Sequence, residues 1–293
     1  MKIKYIFPLL LVLFAFACKN ELTIFEQINE ETKLEEAEIK GSVNSIVKFK
    51  EKLYATDGNI YSKNIDVVRG WGATAGPGGN IYKLASNETN LYALNEQGLF
   101  TTTDGSAWNK VDVSETISSI ETIFDNGLDA AYIHGTAKGA SETSYFKLEG
   151  TTANSTDEVS SIVVLKTDKG IYTAAKDGTV TGSNDLGSVP DLGTVYSLTH
   201  SQVDNAIYAG TSKGLKKLPV EKSSGKLTGE NLAPPGNPDA TIKSYEAFAV
   251  LATGTKPNDS ALYTSTISSG SDYSKINGLW GYYYSRRDTW NRE

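Results

Sequence analysis

The feature that most constrains this chain is a three-residue pattern that returns along its length: a hydrophobic residue, a tyrosine, then a small or β-branched residue. It stands as Leu53-Tyr54-Ala55, Leu91-Tyr92-Ala93, Ile171-Tyr172-Thr173, Ile207-Tyr208-Ala209 and Leu262-Tyr263-Thr264, with a looser copy at Ala131-Tyr132-Ile133. The tyrosines lie 38, 40, 40, 36 and 55 residues apart. Self-similarity at such a period marks a repeat architecture, in which each unit buries its apolar face only against its neighbours.

Each triplet follows a start of the form hydrophobic–x–Ser–hydrophobic. The copies are Val43-Asn44-Ser45-Ile46, Ile117-Ser118-Ser119-Ile120, Val159-Ser160-Ser161-Ile162, Val195-Tyr196-Ser197-Leu198 and Ile242-Lys243-Ser244-Tyr245. The second repeat departs from the pattern, with Lys83 in place of Ser in Ile81-Tyr82-Lys83-Leu84. Six starts with one triplet each make six units. Asn, Asp and Gly between start and triplet supply turn chemistry, so each unit opens with two strands joined by a tight connection. A third apolar stretch follows each triplet, and the fourth is the most polar, as an outer edge should be. Residues 162–165 (IVVL) are apolar on both faces, which requires cover on both faces.

Four strands in about 40 residues fit the blade of a β-propeller, a fold of typically 4–8 blades. The expected class is therefore all-β, a six-bladed β-propeller over residues 41–293, with seven blades less favoured. Hydrophobic content of 39% with 22% charged residues agrees with a folded chain. Ring closure poses a problem, because only three residues follow Trp290. The strand-like residues 22–28 (LTIFEQI) are expected to supply the missing edge strand of the last blade.

The first 40 residues read as an export and attachment segment. Lys2 and Lys4 precede an apolar run over residues 6–17, the proportions of a signal peptide spanning residues 1–17. That run is too short to cross a bilayer, which needs about 20 apolar residues. The chain has a single cysteine, Cys18, so no internal disulfide can form even in an oxidising compartment. Residues 18–40 are rich in Glu and read as an acidic tether. The formal charge of −7 argues against nucleic acid as a partner, since phosphate binding needs clustered Lys and Arg.

Ala15-Phe16-Ala17-Cys18 resembles a bacterial lipobox, although Ala15 and Phe16 stand where Leu and a small residue are usual. The resemblance implies that Cys18 is lipidated, becomes the mature N-terminus and holds the protein to the membrane. Ordinary cleavage after Ala15-Phe16-Ala17 is the rival. By resemblance to enterobacterial lipoproteins, the lack of Asp after the cysteine implies passage to the outer membrane. Residues 102–108 are similar to the Asp-box of sialidase-like and sortilin-like propellers. Thr103, Asp104, Gly105 and Trp108 match in type, with the spacing to Trp one residue short. In those families the box stabilises a hairpin turn and takes no part in catalysis.

Chemistry-bearing groups are sparse. Six-bladed lactonases hold a divalent cation with Glu, Asn and Asp from inner strands, and the inner strands here offer Asn44, Glu121 and Glu246 as an incomplete candidate channel site. Solvated channel lining is the competing account of the same residues. His134 and His200 fall in different repeats without ligand spacing, and no Gly-x-Ser-x-Gly elbow is present. Residues 70–80 (GWGATAGPGGN) are Gly-rich but lack the Lys-Ser/Thr ending of a phosphate loop, so they read as a connection between repeats. No catalytic residue, metal or cofactor is expected. The expected role is a lipid-anchored scaffold with a protein partner in the envelope. A carbohydrate or host-ligand adhesin and a metal-dependent hydrolase or lactonase are the alternatives.

Overall fold

A computed structural model of the chain describes residues 37–39, 41–229, 245–267, 277–285 and 290–293. Among these, 23 strands form six antiparallel sheets, set in a ring as a six-bladed β-propeller. Blade 1 is β1 (Ser45–Phe49), β2 (Lys52–Thr56), β3 (Ile60–Asn64) and β4 (Gly72–Ala73). Blade 2 is β5 (Lys83–Ser86), β6 (Leu91–Asn95), β7 (Gly98–Thr102) and β8 (Asn109–Val111). Blade 3 is β9 (Ile117–Asp125), β10 (Ala131–Ala137), β11 (Thr143–Glu149) and β12 (Thr152–Ser155). Blade 4 is β13 (Val164–Lys166), β14 (Ile171–Ala174), β15 (Val180–Gly182) and β16 (Ser188–Val189). Blade 5 has three strands, β17 (Val195–Ser201), β18 (Ala206–Thr211) and β19 (Gly214–Pro219), followed by a single bridge from Val220 to Leu227. Blade 6 is β20 (Glu246–Thr253), β21 (Ala261–Ile267), β22 (Gly278–Tyr283) and β23 (Trp290–Arg292).

The recurring tyrosines explain how the ring is filled. Each sits on the second strand of its blade, opposite a fixed position of the first: Tyr54 pairs with Val47, Tyr92 with Ala85, Tyr132 with Phe124 and Tyr172 with Leu165. Tyr208 pairs with Thr199 and Tyr263 with Leu251 in the same way. All six are at most 3% exposed. The second strands are covered on both faces because each lies between two neighbouring blades; β6, β18 and the first six residues of β21 are buried throughout.

The core is accordingly divided into six clusters, and each holds one tyrosine of the series. Tyr54 joins blades 1 and 2, Tyr92 blades 2 and 3, Tyr132 blades 3 and 4, and Tyr172 blades 4 and 5. Tyr208 joins blades 5 and 6, and Tyr263 closes the ring between blades 6 and 1. A ring of stacked sheets has no backbone ladder between blades, so polar side chains cross the seams instead. Ser45 Oγ donates to Leu84 O at 3.0 Å, Ser86 Oγ to Lys48 O at 2.9 Å, and Ser197 Oγ to Phe248 O at 3.0 Å. This gives the recurring serine a structural task at blades 1 and 5.

Three expectations are corrected. The edge strand of blade 6 is β23, from the chain's own C-terminal stretch, which pairs Trp280 with Arg292 and Tyr282 with Trp290. Three residues suffice for an outer strand, so no edge strand is missing there; residues 22–28 lie outside the described residues. The Gly-rich residues 70–80 are in part a strand, since Gly72–Ala73 is the fourth strand of blade 1. Ile162, expected under cover on both faces, precedes β13 and is 46% exposed. Tertiary packing also begins ahead of residue 41, because Ile39 is fully buried in the cluster that closes the ring. The signal segment and Cys18 lie outside the described residues.

Candidate functional site

The first strands surround a central channel of about 640 Å³ to which every blade contributes. Their bulges decide what the channel presents. In β17 the register slips between Val195 and Ser197, and in β20 between Ala247 and Val250, which leaves Tyr196 and Phe248 outside the ladder. A bulged residue is re-aimed by the local bend of its strand. Both side chains reach the channel wall, and their rings stack at 4.6 Å with planes 16° apart. Ile162 and Leu128, 46% and 56% exposed, line the same channel from blades 4 and 3. Large apolar side chains left open to water inside a concave surface are a signature of binding.

The wall also carries charge. Lys83 of blade 2 and Asp125 of blade 3 both line the channel. The Lys83 ammonium donates to Asn44 O at 3.4 Å; burial lowers its pKa, and the attraction of Asp125 opposes that shift. Asp125 accepts from the backbone amides of Ser86 at 3.0 Å and Gly127 at 2.9 Å, and burial still raises its pKa above the ordinary carboxylate range. His200, on the wall of blade 5, is held below its ordinary value by burial against the opposing pull of Asp168. The channel is therefore a mixed surface: an aromatic stack and two aliphatic side chains beside two half-buried groups of opposite charge, Lys83 and Asp125.

The three residues proposed from sequence as a cation site have separate surroundings. Glu121 occupies the bulge of β9 and meets His134 Nδ1 at 3.0 Å, with the Tyr145 ring 4.9 Å from that imidazole. Glu246 accepts from the Tyr196 hydroxyl at 2.8 Å. Asn44 is exposed and engages Lys83 through its backbone carbonyl. None of the three lines the channel cavity. Among the described residues no group of three or more His, Cys, Asp or Glu side chains is placed to hold a metal ion.

The turn between β7 and β8 shows what its residue types do. Asp104 Oδ1 accepts from the amides of Ser106 at 2.8 Å and Ala107 at 2.9 Å and from the Thr102 hydroxyl at 2.9 Å, which holds its carboxyl well below the usual range. Gly105 has φ +79°, and a Cβ there would come within 2.1 Å of the Tyr54 hydroxyl. Trp108 Nε1 donates to Ala75 O at 2.9 Å, pinning the turn to the connection from blade 1. Thr103 contributes its carbonyl, which accepts from Lys50 Nζ at 2.5 Å.

Sequence reasoning missed most of the channel wall. Lys83 was visible only as the break in the serine series and Asp125 only as a turn residue. Tyr196 and Phe248 gave no signal, because a bulge cannot be read from alternation.

Comparison with solved structures agrees with the fold. A gluconolactonase, XC5397 from Xanthomonas campestris, superposes with a TM-score of 0.54 at 8% identity, over 84% of this chain and 86% of that one. YCF48 from Cyanidioschyzon merolae gives 0.42 at 11% identity, over 89% and 87% of the two chains. At 8% identity the likeness to the gluconolactonase is one of fold alone. No curated protein matches the sequence. The model of one lipoprotein family matches residues 6–237, most of the chain. The six-bladed ring thus belongs to the TP013X lipoprotein family, and with it to the lipid-anchored proteins of the envelope.

Proposed function

We propose that this protein is a binding platform without catalytic turnover, held to the outer membrane through a lipidated Cys18 and offering its channel to a protein partner in the envelope. The observation that carries the reading is the composition of the channel wall. Ile162 and Leu128 stand open to solvent beside the half-buried Tyr196–Phe248 stack, on the wall that also carries Lys83 and Asp125. Apolar area gives affinity when water is displaced, and half-buried groups of opposite charge on the same wall give discrimination. Acid–base or metal-assisted chemistry requires titratable groups converging on one reacting atom, and Glu121 and Glu246 each face a different neighbour.

The test is co-purification from intact cells, with partners identified by mass. Ile162→Arg and Phe248→Ala should each lose the partner that wild type retains, while Val67→Arg, at an exposed site away from the channel, keeps it. Retention by both channel variants overturns the reading. Calcium titrated calorimetrically into wild type and Glu121→Gln addresses turnover: a stoichiometric ion lost on that substitution would move a metal-dependent hydrolase to first place. Intact mass of the membrane-extracted protein should show acyl chains on Cys18, and an unmodified soluble chain would remove the anchor from the proposal.

A further inference from the structure

Tyrosine hydroxyls donate to carboxylates at several places in the ring, and at three of those carboxylates a lysine completes the contact. At the closing seam the Tyr283 hydroxyl donates to Glu293 at 2.7 Å; Lys63 pairs with that carboxylate at 2.9 Å and lies 5.3 Å from the centre of the Tyr283 ring. Between blades 5 and 6 the Tyr208 hydroxyl donates to Asp204 at 2.5 Å, and Lys217 lies 3.2 Å from the carboxylate and 5.9 Å from the ring centre. Between blades 3 and 4 the Tyr132 hydroxyl donates to Glu158 at 3.3 Å, and Lys147 stands 3.0 Å from the same carboxylate. The carboxylate draws the cation by charge, and a ring beneath the ammonium adds its negative face.

Tyr196 and Glu246 make the same contact at 2.8 Å. Among the described residues no lysine, arginine or histidine pairs with Glu246. Tyr61 and Asp57 also lack such a cation, but their contact is longer, 3.4 Å, and neither residue lines the channel. The Tyr196 ring does line it, stacked on Phe248. Glu246 is half-buried outside the cavity wall, within hydrogen-bond reach of a ring that forms that wall. The arrangement is braced across the seam. Ser197 Oγ donates to Phe248 O at 3.0 Å and accepts from Val250 N at 3.1 Å, so the bulges of β17 and β20 hold one another. Gly210 permits the approach, because a Cβ there would stand 2.7 Å from Ala247 O.

We propose that Tyr196, Phe248 and Glu246 form a site for a cationic side chain, arginine or lysine, of the protein partner that the channel takes. That side chain occupies the position that Lys63 and Lys217 hold at their own tyrosine–carboxylate pairs. The inference rests on the reading of the channel as a binding platform. Glu246 supplies the counter-charge, and the stacked rings supply the face over which the cation lies. A guanidinium probes the site well, since it is planar, stacks on aromatic faces and is more weakly hydrated than an ammonium.

The peptide acetyl-Gly-Arg-Gly-amide, titrated calorimetrically at low salt into the full-length protein in detergent, should bind one to one. Its citrulline counterpart, of the same shape but neutral, should not bind. Glu246→Gln keeps an acceptor for the Tyr196 hydroxyl and removes the charge; it should weaken the arginine peptide by about tenfold or more, the loss expected for a hydrogen bond to a charged group. Glu121→Gln removes the same unit of net charge from another blade and should leave binding unchanged. No binding, equal binding of the two peptides, or equal losses in Glu246→Gln and Glu121→Gln overturns the proposal. A captured partner that Ile162→Arg releases, but that Glu246→Gln retains to the same salt concentration as wild type, overturns it while the platform reading stands. Retention by both Ile162→Arg and Phe248→Ala removes the platform reading and this site's partner with it.

Discussion

The seam that closes the ring, between blades 6 and 1, and the seam between blades 3 and 4 both bury their recurring tyrosine but surround it with charge in opposite ways. At the closing seam Lys63 and Glu293 meet at 2.9 Å with both side chains fully buried. The carboxylate also accepts from Trp71 Nε1 at 2.9 Å and the Tyr283 hydroxyl at 2.7 Å. Lys63 donates to Val68 O at 2.9 Å and lies 4.6 Å from the centre of the Tyr263 ring. Burial lowers the Lys63 pKa even against the pull of Glu293. At the seam of blades 3 and 4 the two ion pairs are partly or largely exposed, and Tyr132 borders an open groove. A buried pair is costly to desolvate, so every partner must be present; an exposed pair tolerates loss. The contrast shows where the ring is fastened and where it is left free.

Removing one partner of the fastening should have the largest effect. Glu293→Ala leaves the Lys63 ammonium buried without its counter-charge and should cost about 3–5 kcal/mol in a denaturant titration. The double variant Lys63→Met/Glu293→Leu should recover most of that loss, and no recovery would mean that the carboxylate acts through Trp71 and Tyr283 instead.

Alkali should separate the two seams by a different measure. Burial, reinforced by Glu158, pushes Tyr132 up to about 12, and burial also raises Tyr263 and Tyr283 from the ordinary value of 10.0. A raised folded pKa means that the native state holds the proton more tightly. The stability this confers is complete below pH 10 and is lost as pH climbs through the folded values. Tyrosinate absorbance and circular dichroism followed together should show Tyr132 ionising while the fold persists, and the closing-seam tyrosines ionising only with unfolding. A single coincident transition, unchanged in Tyr132→Phe, would erase the predicted difference.

An intermediate effect is expected at the covered seam of blades 1 and 2. Gly105→Ala forces a Cβ into positive φ and onto the Tyr54 hydroxyl, at a cost of about 1–3 kcal/mol, and Tyr54→Phe should relieve part of it. The smallest effect belongs to the open groove: Lys166→Ala breaks its contact with Asp129 at 2.6 Å and should change stability by only about 0–1 kcal/mol. A loss matching that of Glu293→Ala would show that the groove is structural and not a vacancy.

How much of this was legible beforehand depends on distance along the chain. Tyr54, Tyr92, Tyr132, Tyr172, Tyr208 and Tyr263 declared the blades because a blade is built from neighbouring residues, and period plus turn chemistry are local signals. The residue types around Asp104 were legible for the same reason, since the carboxylate is met by amides two and three positions on. The channel wall was not legible, because Tyr196 and Phe248 reach it through bulges that break alternation. Nor did spacing reveal that Glu121 would turn to His134 and Glu246 to Tyr196.

The sequence by itself determined the number of blades and the strand that carries each tyrosine. Tertiary structure alone decided how the ring closes, since Lys63 and Glu293 are 230 positions apart and neither belongs to a repeated motif. It decided also which seam stays open. Leu186 in the outer turn of blade 4 packs in the cluster of Tyr172, where its carbonyl accepts from Leu227 N of blade 5. A repeat fixes what each unit can bury; only the assembled ring fixes which neighbour buries it.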